Sequence, residues 1–416
     1  MDRTRMSSSR PVPPRRADIP SVSVPPRRAA STGAVLGAIL DHGPVARSTI
    51  ARLTGLSPAS VTGHCGALIG RGLVKEGPET AGPRGLGRPH IPVEIDTARY
   101  LLAGAHVAVT HTTLALMDLR GRLVAEERLP HTGTEPAEVL DRVAEGLPRM
   151  LAGQGSGRTA LALGVATGHW VDPAAGVVVH HPQLGWRDVP VREVLAKATG
   201  LPVHVDSHAR ALARAEQLVG VASTRASAVV LFVGNVVDAA FVSSGAVHQG
   251  PRFGAGNIAH LPVGTGDAGT TCECGVPGCL QSEVAEPAML RRAARQGLYA
   301  ETFPELLRRA VDGDEVAVSV FRRRARFVGR AAAVLLDMFD PEVLVVVEPS
   351  AGRLAPCLAE LRATTAERSL VCDDPERSVV PSSFTGRVLA VAGTAVALGA
   401  LHDDPLGPWP ALPAVS

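Results

Sequence analysis

Cys272, Cys274 and Cys279 stand in a C-x-C-x4-C spacing, and His260 lies twelve residues before the first of them. Thiolate sulfur and imidazole nitrogen are donors that tetrahedral Zn²⁺ favours. Three cysteines and one histidine would fill its shell and leave no position for a reactive water. The cluster therefore predicts a structural zinc ion that staples a loop and does no catalysis. Gly275 and Gly278 let the backbone turn Cys274 and Cys279 back onto one ion, and Pro277 stiffens that turn. The competing reading is three unrelated thiols, or one disulfide with a cysteine left over; ligand-like spacing beside a histidine favours the metal. Cys65, Cys357 and Cys372 stand alone and read as small core or surface residues.

A second set of residues could read nucleic acid, and it depends on the helices that carry it. Val35, Leu36, Ile39 and Leu40 recur at helical spacing between Ser31 and Asp41, and His42-Gly43-Pro44 ends the pattern. A short helix through Ile50, Ala51 and Leu53 follows, with Gly55 at the turn. Ser57 is a good N-cap and Pro58 fits the first helical position, so a third helix begins there. Its inward row is Val61, Cys65, Leu68 and Ile69; its open face offers Ser57, Ala59, Ser60, Thr62, Gly63 and His64. A helix, a tight turn and a second helix is the arrangement that lays the latter in a DNA major groove. Residues 72–76 then read as a strand, 83–89 as a Gly-rich hairpin tip and 91–95 as the returning strand. Such a wing would carry Arg84 and Arg88 to a minor groove, where arginine is favoured. The rival is a helical bundle for protein contacts with solvated arginines.

The chain has 416 residues, room for about three domains, and 45% hydrophobic residues, ample for buried cores. Net charge is only +2, and Lys75 and Lys197 are the only lysines, so arginine abundance alone says little about partners. The longest uncharged apolar run, 388–401, is too short for the roughly 20 residues that span a bilayer, and no membrane segment is expected. Residues 1–30 are rich in Arg, Pro and Ser without an apolar stretch, and read as a disordered basic tail, not a secretory signal. A cytoplasmic, reducing location follows, which also favours metal ligation over disulfides.

From Arg99 onward strands alternate with helices, the sign of an α/β fold. Expected strands are 101–109, 113–118 and 121–129 as a meander, then 160–165, 203–205, 226–233, 239–243 and 343–347. Expected helices are 136–151, 209–219, 285–296, 315–339 and the apolar 390–401.

Two stretches carry a family resemblance. Gly254-Ala255-Gly256-Asn257-Ile258-Ala259-His260 and Cys272-Glu273-Cys274-Gly275-Val276-Pro277-Gly278-Cys279-Leu280-Gln281 resemble the G-x-G-E-x-G-H and C-x-C-G-x-x-G-C-x-E signature of the ROK family of repressors, open reading frames and sugar kinases. The resemblance implies an α/β, actin-like, two-lobed sugar kinase fold with zinc near a sugar pocket. In the repressor branch a winged helix-turn-helix precedes it. The domains implied are a basic tail (1–30), a winged helix-turn-helix (31–96) and a first lobe (97–208) completed by helix 390–401. A second lobe with the zinc loop (209–389) and a Pro-rich tail (402–416) follow.

The same resemblance locates the kinase parts, and this chain departs from each. The first phosphate motif, D-x-G-x-T, is His106-Val107-Ala108-Val109-Thr110; the second, G-T-G-x-G, is Gly234-Asn235-Val236-Val237-Asp238, which brings side chains and a negative charge. A glycine pair is replaced by Glu348-Pro349, and the Asn-Asp pair that supplies the general base by Ser207-His208. Phosphoryl transfer needs a phosphate cradle and a placed base, so no kinase activity is expected. A pocket for a sugar or sugar derivative is expected to survive, lined by Gln183, Ser207, His208, Asn257, His260 and Gln281, with Gln183 in a Pro-Gln-Leu-Gly-Trp turn that resembles the family's P-N-L-G-W. Asn257 and Gln281 stand where the family has glutamates, which keeps hydrogen bonding and removes charge. The family often has a basic residue where Gly63 stands, which shifts DNA contact towards the wing and tail. The expected protein is a DNA-binding transcriptional regulator, a repressor whose operator binding is modulated by a sugar or sugar-derivative effector, acting as a homodimer or higher homo-oligomer on double-stranded DNA. The alternatives are an active sugar kinase carrying a DNA-binding domain, a ligand-independent repressor and an interaction scaffold.

Overall fold

The computed structural model describes residues 27–78, 91–220, 226–264 and 271–410. Helices α1 (Arg27–His42), α2 (Arg47–Thr54) and α3 (Pro58–Gly70) open it, followed by the antiparallel pair β1 (Val74–Glu76) and β2 (Val93–Ile95). The Ser57 hydroxyl accepts the Ser60 amide 3.2 Å away and caps α3, as its sequence position demands. Val61, Cys65 and Leu68 are buried with Val35, Ile39 and Ile50 in one core. Helix α1 begins at Arg27, so residues 27–30 belong to a helix and not to the expected tail. Residues 79–90, which include Arg84 and Arg88, lie outside the described residues, as do residues 1–26.

The next stretch contains β3 (Tyr100–Val107), β4 (His111–Asp118), β5 (Leu123–Pro130), α4 (Pro136–Gln154), β6 (Thr159–Thr167), β7 (Trp170–Asp172), β8 (Val177–His181), β9 (Trp186–Val189), α5 (Val191–Thr199), β10 (Val203–Ser207) and α6 (His208–Val219). The five-stranded sheet runs β10-β6-β3-β4-β5, with β10, β6 and β3 parallel and the meander antiparallel; β7-β8-β9 form a small separate sheet. The second half contains β11 (Ala228–Val233), β12 (Val237–Ser243), β13 (Ala246–Val247), α7 (Leu280–Val284), α8 (Glu286–Arg295), α9 (Phe303–Val311), α10 (Glu315–Phe339), β14 (Val343–Val347), α11 (Ala355–Arg368), α12 (Pro375–Ser378), β15 (Val379–Pro381) and α13 (Val388–Asp403). Its sheet, β13-β12-β11-β14-β15, repeats the scheme of an antiparallel meander joined to parallel strands. Parallel strands buried on both faces read as unbroken apolar runs, which is why 343–347 is Val-Leu-Val-Val-Val.

Helix α13 returns to the first sheet, and its apolar character on every side follows from burial on every side. A Cβ on Gly104 would stand 2.3 Å from the Thr394 amide nitrogen, and one on Gly164 2.3 Å from the Gly393 carbonyl oxygen, so helix and sheet touch backbone to backbone. The helix runs two residues beyond the expected 401, and part of the expected Pro-rich tail is packed: Trp409 is buried, its indole donates to the Asp404 carbonyl, and Arg71 donates to the Gly407 carbonyl at 2.7 Å. No helix among the described residues is long and apolar enough to cross a membrane.

Candidate effector cleft and metal cluster

The cysteine loop is knitted to the strand-like segment before it. The Val263 and Gly264 amides donate to the Gly278 carbonyl, the Leu280 amide to Leu261 and the Gln281 amide to Ala259. Gly275 and Gly278 have φ of 80° and 77°, and the Gly275 amide closes a tight turn onto the Cys272 carbonyl. The result brings one donor atom from each of His260, Cys272, Cys274 and Cys279 within 4.8 Å of one another. His260 Nδ1 lies 3.3 Å from Cys272 Sγ, and Cys274 Sγ 3.6 Å from Cys279 Sγ. Zinc bonds of about 2.0–2.3 Å at tetrahedral angles put neighbouring donors roughly 3.5–3.8 Å apart. The four residues fit that ion, and His260 belongs to this cluster and is absent from the cleft lining described next.

A cleft of about 260 Å³ lies where the carboxyl end of β10 faces β12 and the 252–257 loop. Its lining is His169, Trp170, Ser207, Asp238, Ala239, Arg252, Gly254, Ala255 and Asn257. Carboxyl ends of parallel strands are where α/β sheets usually hold ligands. The 252–257 loop is tied to both sheets. Buried Arg210 donates to the Phe253 and Val171 carbonyls and pairs with Asp206, the Trp170 indole donates to the Arg252 carbonyl, and the Ala239 amide donates to the Gly256 carbonyl.

Beneath the cleft His106, His208 and Asp238 form a buried row. His106 Nε2 and His208 Nδ1 stand 3.3 Å apart, one donating and the other accepting. His208 Nε2 is 3.1 Å from Asp238 Oδ2, close enough for an ion pair though poorly aligned for a hydrogen bond. The same oxygen accepts the His169 amide at 2.8 Å. Burial, with His208 adding to it, pushes the His106 pKa well below the usual histidine value. Burial alone would raise the Asp238 carboxyl, but the close contact with His208, helped by His169 and its amide, outweighs it and holds the pKa below the usual carboxylate value. His169 adopts φ 64°, a left-handed conformation costly for a side-chain-bearing residue, and its ring meets Gln183.

Of the pocket residues read from the sequence, Ser207 and Asn257 line the cleft. Gln183 sits behind it, bonded to His169. His208 is buried with both ring nitrogens facing protein groups. Gln281 does not line the cleft either: its oxygen accepts the Val237 amide at 2.8 Å and its nitrogen donates to the Asn235 carbonyl. It holds the β11–β12 hairpin. Asp238, expected in a loop, is in β12 opposite Phe232, and the tip is only residues 234–236. Glu348 is buried against Arg324 and accepts the Ser350 and Ala351 amides at 2.9 and 2.7 Å. His169, Trp170, Asp238 and Arg252 were not anticipated as lining. On α3, Ser57, Ala59, Ser60 and Thr62 are exposed, whereas His64 turns to α1, its Nδ1 3.0 Å from the Thr32 hydroxyl.

The ROK family profile matches residues 102–394. Transcriptional regulator Rv0485 of Mycobacterium tuberculosis is 33% identical over 403 residues, covering 93% of this chain and 89% of that protein. The DNA-binding transcriptional dual regulator NagC of Escherichia coli is 27% identical over 329 residues, covering 76% and 79%. Among solved structures, a ROK family transcriptional regulator described as a homolog of the E. coli MLC protein superposes with TM-score 0.75 at 22% identity, over 90% of this chain and 97% of that one. A ROK family glucokinase from Streptomyces griseus, solved with glucose and AMPPNP, gives TM-score 0.61 at 21% identity, over 72% and 98%. The kinase match covers less of this chain than the regulator match, and the family profile begins only at residue 102, after α1–α3. With a mixed α/β, sugar-kinase-like fold, the profile match and regulators a third identical along almost its whole length, the chain belongs to the ROK family, on its branch of transcriptional regulators.

Proposed function

We propose that the chain binds an operator through a winged helix-turn-helix and adjusts that binding when a sugar or sugar derivative occupies the cleft. The carrying observation is α3: its apolar row is buried against α1 and α2 while capped Ser57, Ala59, Ser60 and Thr62 face solvent. A capped helix with a small polar outer face, followed by the β1–β2 pair, is the form that enters a major groove. Arg84 and Arg88, between those strands, would add phosphate or minor-groove contacts. One such helix reads few base pairs, so the working unit is a homodimer on an inverted repeat, with half-sites about one helical turn or a multiple apart. An operator-binding chain works where the chromosome is, in the cytoplasm. In a footprint of the DNA upstream of its own gene, the double variant Arg84→Ala/Arg88→Ala should bind more weakly. Its log–log salt slope should be shallower by about 0.9 for each lost phosphate contact. Equal affinity and slope would remove the wing from the interface.

The cleft is read as a sensor and not a kinase site. A general base needs a free atom facing the reacting hydroxyl, and His208 at the base position has both ring nitrogens against protein. Buried Glu348 and Asp238 add carboxylates where polyphosphate would need cations or bare amides. With ATP and glucose, a coupled assay should show no ADP release above a protein-free control; sustained turnover would restore the kinase reading. Zn²⁺ held by His260, Cys272, Cys274 and Cys279 would supply structural cross-linking only.

A further inference from the structure

We infer that the cleft selects an anionic sugar, and that Arg252 is the residue that recognises its charge. This rests on reading the cleft as the effector site. Among the described residues that line it, Asp238 is the only carboxylate. That carboxylate is already engaged by the His169 amide and by His208, and it is buried. Ser207 accepts the Arg210 amide as the cap of α6, and Asn257 offers hydrogen bonds without charge. Arg252 is different: it is exposed, it lines the cleft, and it has no ion-pair partner among the described residues. Arg252 is therefore the charged lining group left open to an incoming ligand, whereas the Asp238 carboxylate is buried and already held by two protein contacts.

The backbone behind that guanidinium is fixed. The Arg252 carbonyl accepts the Trp170 indole N–H at 2.7 Å, and the next carbonyl, of Phe253, accepts from buried Arg210 at 3.0 Å. A ligand meeting Arg252 orders one side chain and no loop, which limits the entropic cost of binding. Guanidinium presents paired donors that match a carboxylate or a phosphate, and charge-assisted bonds of this kind are the stronger ones. The remaining lining suits a single sugar ring: an indole face at Trp170, an amide at Asn257, and about 260 Å³, just below the roughly 300 Å³ at which drug-sized sites begin. The ligand class is a monosaccharide bearing one acidic group, either a uronic acid or a sugar phosphate.

Calorimetry on the full chain with D-glucose, D-glucuronate and D-glucose 6-phosphate at one salt concentration tests this. At least one anion should bind about 10- to 100-fold more tightly than glucose, the range expected of a hydrogen bond to a charged group. Whether glucuronate or the phosphate leads identifies the source of the charge. Arg252→Gln should bring the favoured anion down to the glucose level, and Arg252→Lys should recover part of the gap. Equal binding of all three, an anion preference that survives in Arg252→Gln, or no binding by either anion would overturn the proposal. A gel shift on an operator fragment, run on the same protein with each ligand, keeps the two readings apart. A response to glucose alone leaves the sensor standing and removes the anion preference. Absence of any operator binding removes the regulator reading, whatever the calorimetry shows.

Discussion

Cys274→Ser should lower bound zinc from the expected one ion per chain to a small fraction and melt the second lobe well before the first. The Cys274 side chain is exposed, so its replacement forfeits little packing and the effect isolates the metal. Structural zinc contributes about 10–16 kcal/mol of apparent binding free energy in small sites, and that energy is folding energy where the site does not exist in the unfolded chain. Losing one of four ligands removes a fraction of it; several kcal/mol in a lobe of this size is roughly ten degrees in Tm. The consequence extends beyond the loop. Residues 261–264 and 278–281 hold each other by backbone bonds, and Gln281 at the end of that ladder supports the Asn235–Val237 hairpin next to Asp238. A chelator should therefore loosen the cleft wall as well as the cysteine loop, seen as faster amide exchange at Val237 and Ala239. Metal content by mass spectrometry and a thermal melt decide the matter: full zinc occupancy with an unchanged Tm in Cys274→Ser would sink the assignment.

Residues whose chemistry is local were legible in the sequence. Spacing alone grouped the three cysteines with His260, because a tetrahedral site imposes short separations on neighbouring ligands. Ser57-Pro58 announced the start of α3 because capping is decided within one turn. The all-apolar stretch near residue 390 could only be a buried helix or a membrane span, and its length excluded the latter. What escaped depends on contacts distant in the chain. The β7-β8-β9 sheet has strands of three, five and four residues, too short for a periodic signal, and it carries Trp170 to the cleft. Gln281 and His208 were placed by position in a motif, but their side chains are consumed by neighbours from other elements. Asp238 did leave a signal. A carboxylate between Val237 and Ala239 in a run that continues through Phe241 must, if buried, find partners, and buried charge with partners marks a site.

The two glycines of Gly254-Ala255-Gly256 should respond very unequally to the same added methyl group. Gly256 has φ 98°, where a side-chain-bearing residue is strained, and a Cβ there would stand 1.8 Å from the Ala239 carbonyl oxygen. That oxygen belongs to the strand whose amide at Ala239 donates to the Gly256 carbonyl at 2.8 Å. The clash is backbone against backbone, with no flexible side chain to yield, so the loop must leave β12 and give up the bond. Strain of about 1–3 kcal/mol adds to the cost of that lost bond, and the total for Gly256→Ala should exceed about 3 kcal/mol. Gly254, by contrast, has only the edge of the Trp170 indole within 4 Å, at 3.9 Å, and Gly254→Ala should cost less than about 0.5 kcal/mol. Urea denaturation of both variants measures the difference. Because Ala239 and Asn257 flank the contact and line the cleft, Gly256→Ala should also abolish any ligand-induced change in operator affinity. A Gly256→Ala protein as stable as Gly254→Ala would mean that the 252–257 loop is not seated on β12, and the cleft would lose one of its walls.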